Sequence, residues 1–452
     1  MARSKSETCI HRSLSFTSSP HAEVAGFKGQ SSRQLIAARR PSSLTGQPRF
    51  DLAADHSETF PAPLLLPGDD LAEDPNHPTQ SFQEWLGEKT RNRLTPTRKT
   101  IYVIPPPEIG DEVGFMRSWV KPGSHAARDS RAQLPQPQDV CDYLEAFYHG
   151  VSVKLLPSST FTFTSWEKEE VKISKTTCKP PKKRYVGLKC GTEVTRIRAR
   201  PSPDEVFSGQ VNLDDLLDAV IAMLPQDAFS VQLLMHHDMY EDEDDEFGCG
   251  RAYAGSRVCV VSSARYDPCL DEVEEIERLH SWPASHCEDY ISQYCSVSEP
   301  RAKRPKTGKT KAGKPRSNIA LNGPMKAALS VYKSLPMSDQ STSLLSALWL
   351  GRTCRTAAHE LGHCFGMDHC VYYACSMQGT ASIREDARQP PYLCPVDLDK
   401  VLHETKGTVE KRYQALLDFC ERPGNKGTHF FAPFAAWLQA RLQPANIVVD
   451  LT

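Results

Sequence analysis

Apolar positions fall in short blocks between polar, proline-rich stretches, and the spacing within each block predicts its element. Residues 101–104 (Ile-Tyr-Val-Ile), halted by three prolines, read as a strand. Between Asp139 and Tyr148, Val140, Leu144 and Phe147 recur at helical spacing, and Gly150 follows as a stop. Residues 151–155 alternate like a strand. Asn212 is suited to cap a helix through Leu224, with Leu213, Leu216, Leu217, Val220 and Ile221 on one face and Pro225 at its end. Residues 229–235 read as a buried strand and 257–266 as another. Residues 343–358 carry Leu344, Leu345 and Leu348 at helical spacing, as do the apolar positions of 408–420 and 433–442. This alternation of strands and helices predicts an α/β (α+β) layer.

The polar stretches divide the chain. Residues 1–50 hold eight Arg/Lys, two Glu, no Asp and ten Ser. They fit a disordered tail, with an organelle transit peptide as the competing reading. Residues 51–95 stay rich in Pro and Asp, so 1–95 is expected to be largely disordered, apart from a short helix at 81–86 anchored by Trp85 and Leu86. The folded domain is expected over 96–425, with a C-terminal helical extension over 426–452. Residues 157–190 resemble a long excursion, and the acidic run 241–246 a solvated loop. A flexible basic insertion spans 296–320. Its core, 301–316, holds eight Lys/Arg and no acid, which suits a mobile loop, an import signal or an anion-binding patch.

Composition narrows the class. Hydrophobic residues make up 39% of 452. No apolar run is long enough to span a membrane, and the first residues lack a signal-peptide core. Net charge is −2, with no global bias towards nucleic acid. Fifteen cysteines point to free thiols and metal ligands in a reducing compartment, cytoplasmic or nuclear.

One segment carries chemistry: His359-Glu-Leu-Gly-His363-Cys-Phe-Gly366-Met-Asp-His369. On a helix, His359 and His363 share a face one turn apart, where two ring nitrogens can meet one ion. Glu360 is rotated off that axis, better placed to touch a water on the metal than the metal itself. Gly366 can take a positive φ and turn the chain so that His369 returns as a third nitrogen. Three neutral imidazoles with one open position suit a catalytic zinc, and Glu360 the general base of peptide-bond hydrolysis.

The motif runs directly into Cys370, then Cys375, Met377 and, further on, Cys394 in Leu-Cys-Pro-Val-Asp397. This arrangement resembles the archaemetzincin (archaelysin) family of metzincin zinc metallopeptidases. The resemblance is local over residues 359–377 and weaker over 247–266. It implies a metzincin-like fold: a twisted mixed sheet with the active-site helix, above a mostly helical lower subdomain. It also implies zinc on His359, His363 and His369, Glu360 as base, and Met377 in a Met-turn beneath the metal. Cys370, Cys375 and Cys394 would hold a second, structural zinc. Asp397 stands where the family has a fourth cysteine, and is either an oxygen ligand or the N-cap of the following helix. The expected substrate is a peptide or protein, with amino-terminal trimming as one mode.

Weaker candidates fill in the picture. Strand 257–266, if an edge, could pair with an extended peptide. Tyr372 and Tyr373 face the cleft or, more simply, the core. Cys364 reads as a core residue, His236 and His237 as surface or packing histidines, and Cys249, Cys259 and Cys269 as ordinary thiols. Two other functions compete: a catalytically silent zinc-binding adaptor, and a nucleic-acid-associated protein driven by 301–316.

Overall fold

The computed structural model describes residues 9–41, 59–123, 130–166, 184–253, 255–297 and 323–443. The basic stretch 301–316 and the middle of the 157–190 excursion lie outside them. Among the described residues eleven strands form: β1 (Thr100–Ile104), β2 (Glu108–Ile109), β3 (Ser152–Leu155), β4 (Thr162–Thr164), β5 (Arg184–Cys190), β6 (Glu193–Arg200), β7 (Gln210–Asn212), β8 (Ala228–Met235), β9 (Asp238–Tyr240), β10 (Gly250–Ala252) and β11 (Val258–Ser262). They build two mixed sheets, ordered β10-β11-β8-β1-β3 and β2-β4-β5-β6-β7-β9. In the first, β1, β3, β8 and β11 run parallel and only β10 is antiparallel.

Strand periodicity sorts the side chains of the first sheet between two cores. Ile101 and Val103 of β1, and Cys259 and Val261 of β11, face a helical core with Val140, Leu144, Phe147, Leu361 and Phe365. Ile104, Val231, Leu233, Val258 and Val260 face the other way, onto Val186, Leu188 and Ile197 of the second sheet and Leu216 and Leu217 of the helix Leu213–Ala222. Asn212 caps that helix by accepting from the Asp215 N–H. The long helix Thr342–Cys364 lies on the helical side against β10 and β11. The helices Pro395–Thr405, Val409–Cys420 and Phe431–Leu442 follow it, and Trp437 of the last is fully buried.

Three expectations are corrected. Strand β11 is not an edge: it lies between β8 and β10, and the edge is β10. The short residue run 250–252 was too brief for a period to reveal it. The 157–190 excursion contributes β4 and β5 at its ends. And the described parts of 1–95 are packed rather than disordered. Phe60, Leu65, Leu66, Leu71, Phe82 and Trp85 are each at most 1% exposed. These anchors are few but large, so averaging composition over the stretch hides them. Ser81 and Glu84 form a capping box that starts the helix Phe82–Gly87.

Candidate active site

The helix Thr342–Cys364 delivers His359, Glu360 and His363 in its last turns. Their spacing brings His359 Nε2 within 3.1 Å of His363 Nε2. His359 Nδ1 lies 2.8 Å from the carbonyl of Ser376, and His363 Nδ1 2.7 Å from that of Met367. A carbonyl only accepts, so each Nδ1 is the protonated nitrogen and each Nε2 keeps its lone pair for the shared side. Gly366, at φ 76°, turns the chain back. No side chain fits there, because Arg91 packs against its Cα. His369 thereby returns, its ring 5.3 Å from that of His359 and 5.1 Å from that of His363. One ligand nitrogen from each histidine lies within 4.8 Å of the others.

Burial, followed by repulsion from neighbouring imidazoles (His363 and His369 on His359, His369 on His363, His77 on His369), lowers all three histidines: His363 and His369 to about 4, and His359 well below its ordinary value. The imidazoles are therefore neutral, the form that coordinates. This donor set fits zinc: neutral nitrogen donors, preset tautomers and one side left open. Met377 is fully buried, with its sulfur against Gly362 of the same helix.

Glu360 points away from the helical core towards β10. It is 7% exposed, and burial raises its carboxyl to about 8, against the pull of Arg251 and the Ala252 N–H. Gly250 leaves the space this requires: a Cβ there would stand 2.8 Å from Glu360 Cγ. A cleft of about 270 Å³ opens here, lined by Gly250, Tyr266, His359, Glu360, His369, Gln378, Thr380 and Asp386. Tyr372 and Tyr373 do not line it. Tyr372 is buried, and Tyr373 meets Phe60 edge to face.

Behind the histidines, four buried donors gather: Cys370, Cys375, Cys394 and Asp397. Cys370 Sγ and Cys394 Sγ are 3.6 Å apart. Asp397 Oδ2 lies 3.3 Å from Cys375 Sγ and 3.4 Å from Cys394 Sγ. Asp397 is not an N-cap: the helix begins at Pro395, and Cys394 caps it through its sulfur. Asp397 Oδ1 instead pairs with the buried Lys400 ammonium at 2.9 Å. Burial raises the thiols, but hydrogen bonds within the cluster hold Cys370 well below its ordinary value while Cys375 and Cys394 stay high. A shared thiolate is the donor a soft metal takes.

Cys364, Cys259 and His237 are packing residues, all buried. His236 bonds to Ser263. Cys249 lines the cleft, but burial pushes its thiol up to about 12, so it is no nucleophile. Cys269 is likewise free.

Sequence reasoning expected the short helix at 81–86 but missed that residues 77–92 support the site. The Trp85 indole donates to the Phe365 carbonyl at 2.9 Å, and Gln80 to Gly366 at 3.0 Å and Asp368 at 3.0 Å. Asn92 donates to the Cys364 carbonyl at 3.3 Å. The His77 ring lies 5.7 Å from that of His369. This segment thus satisfies carbonyls at the end of the site helix. The capping box and Trp85 were its only local signals.

The model of peptidase family M54 matches residues 337–402. Archaemetzincin-2 of Homo sapiens is 24% identical over 357 residues, covering 79% of this chain and 73% of its own. Archaemetzincin-1 of Homo sapiens is 26% identical over 283 residues, 62% of this chain and 42% of its own. The crystal structure of archaemetzincin from Methanopyrus kandleri covers 70% of this chain and 99% of its own, at 14% identity and a TM-score of 0.31.

Proposed function

The chain belongs to the archaemetzincin family and is a zinc-dependent metallopeptidase; from that premise we propose how its residues divide the work. His359, His363 and His369 hold the catalytic zinc. Zinc in such a site supplies an open position, lowers the pKa of water towards neutrality and polarises a carbonyl. Glu360 is the general base: it takes a proton from the attacking water and returns it to the leaving amine. Its raised affinity for a proton suits it to carry one between these two partners. Met377 packs under the histidines and fixes the helix end. The observation that carries this reading is the convergence of three neutral imidazoles beside a carboxylate that faces the cleft.

The substrate is a peptide, laid along the outer side of β10, whose backbone groups at the sheet edge can pair with an extended chain. Amino-terminal trimming belongs to the same proposal. Asp386 and Glu360 are the carboxylates among the described residues lining the cleft, and Asp386 is already paired with Arg355. Comparing free with N-acetylated peptides tests the mode: loss of cleavage on acetylation supports trimming, and equal cleavage opposes it.

Cys370, Cys375, Cys394 and Asp397 hold a second, structural zinc. Lys400 offsets the extra negative charge of three thiolates and a carboxylate. The test is zinc counting on the wild type, His363→Ala and Cys375→Ala. Each variant should carry one zinc fewer than the wild type. Unchanged counts in His363→Ala would oppose the catalytic assignment, and unchanged counts in Cys375→Ala the structural one.

A further inference from the structure

Outside the histidine motif and the cysteine cluster, the N-terminal segment meets the stretch 277–291. Leu14 forms an antiparallel bridge with Cys287. The Ser15 N–H donates to the His286 carbonyl at 2.8 Å, and the Glu288 N–H to the Ser13 carbonyl at 3.1 Å. Just before this ladder, Cys9 and His11 come together with His280, one ligand atom of each lying within 4.8 Å of the others. A fourth donor is adjacent: Cys287 Sγ is 3.7 Å from Cys9 Sγ. His11, His280 and Cys287 are buried.

The donors are set up for coordination. His11 Nε2 is 2.9 Å from the Leu279 carbonyl, which can only accept, so Nδ1 is the nitrogen with a lone pair to give. His11 also adopts φ 45°, a backbone conformation few residues other than glycine take up. His280 is fixed by stacking on Tyr290, rings 4.2 Å apart. The Glu277 carboxylate lies 3.0 Å from its Nδ1, as the outer partner of a ligating histidine does. Its Nε2 is buried without a hydrogen-bond partner among the described residues. Zinc–sulfur bonds of about 2.3 Å put two thiolates on one tetrahedral ion roughly 3.8 Å apart, close to the separation of Cys9 and Cys287.

We propose that Cys9, His11 and His280, with Cys287 as fourth ligand, form a further zinc site that pins the N-terminal segment to the body of the protein. The set is two sulfurs and two imidazoles with no acid, the closed composition of a structural site. It is separate from both sites above and shares no residue with them. The N-terminal segment needs such a fastening: between Cys9 and Phe16 it buries few apolar side chains, and Ile10 is 59% exposed.

The test uses the full chain kept reduced. Metal analysis compares the wild type with the double variant Cys9→Ser, His11→Gln, and the variant should carry one zinc fewer. Because a difference is read, the result does not depend on how many zincs the other sites hold. A second readout needs no variant. In the wild type, zinc should protect Cys9 and Cys287 from N-ethylmaleimide, read peptide by peptide, and chelation should remove that protection. Equal zinc counts in a folded double variant would overturn the proposal. So would equal alkylation of Cys9 with and without zinc, or a Cys9–Cys287 disulfide in the zinc-replete protein.

Discussion

A methyl group at position 250 would stand 2.8 Å from Cγ and 2.9 Å from Oε1 of Glu360, closer than packed atoms approach. The carboxylate or the edge strand must then shift. Displacing a catalytic group by an ångström costs on the order of 10²-fold in rate. Gly250→Ala is therefore expected to lower kcat by roughly 10- to 100-fold while keeping the full zinc count, since the atoms a Cβ there would meet most closely all belong to Glu360. Normal turnover by this variant would separate Glu360 from the chemistry. At this scale the histidine motif was legible in the sequence, because its requirements are local: two imidazoles a helical turn apart, a glycine that can turn, and a third imidazole just beyond. The role of Asp397 was legible only in part. Nothing in the spacing says that Cys394 rather than Asp397 caps the helix, or that Lys400 reaches back to balance the carboxylate.

Among the elements, the short helix Phe82–Gly87 was expected at 81–86 with Trp85 as its anchor, but the segment around it was read as largely disordered. Trp85 is fully buried, donates to the Phe365 carbonyl, and carries the Arg91 guanidinium 3.9 Å over its ring. The carbonyl it donates to lies 280 residues away in the chain, and a contact of that range leaves no period to read. Trp85→Ala should cost about 3–5 kcal/mol of unfolding free energy, measured by urea denaturation. A residue in an unpacked tail would cost almost nothing, and a change within experimental error would restore that reading. The second sheet escaped for a related reason. Strands β4, β7 and β9 have three residues each, too few for alternation to stand out, and they are defined by their neighbours.

At the level of the whole molecule, buried histidines that ligate none of the proposed zincs couple folding to pH. His237 and His286 are both held near 4, chiefly by burial, against 6.5 for an ordinary imidazole. The native state keeps them neutral while the unfolded chain takes up protons. Their contribution is fully present above about pH 6.5 and is lost as pH falls towards 4. The double variant His237→Gln, His286→Gln should therefore show a shallower fall in urea midpoint across that window than the wild type. An equal slope would mean that these side chains reach water. No described helix is long and apolar enough to cross a membrane. The most direct test of the central claim is to measure zinc content and peptide turnover together for Glu360→Gln and the wild type. The account predicts the same zinc count and a loss of turnover of about 10²- to 10⁴-fold. Equal turnover, or loss of the metal along with it, would contradict the division of labour between the three histidines and this carboxylate.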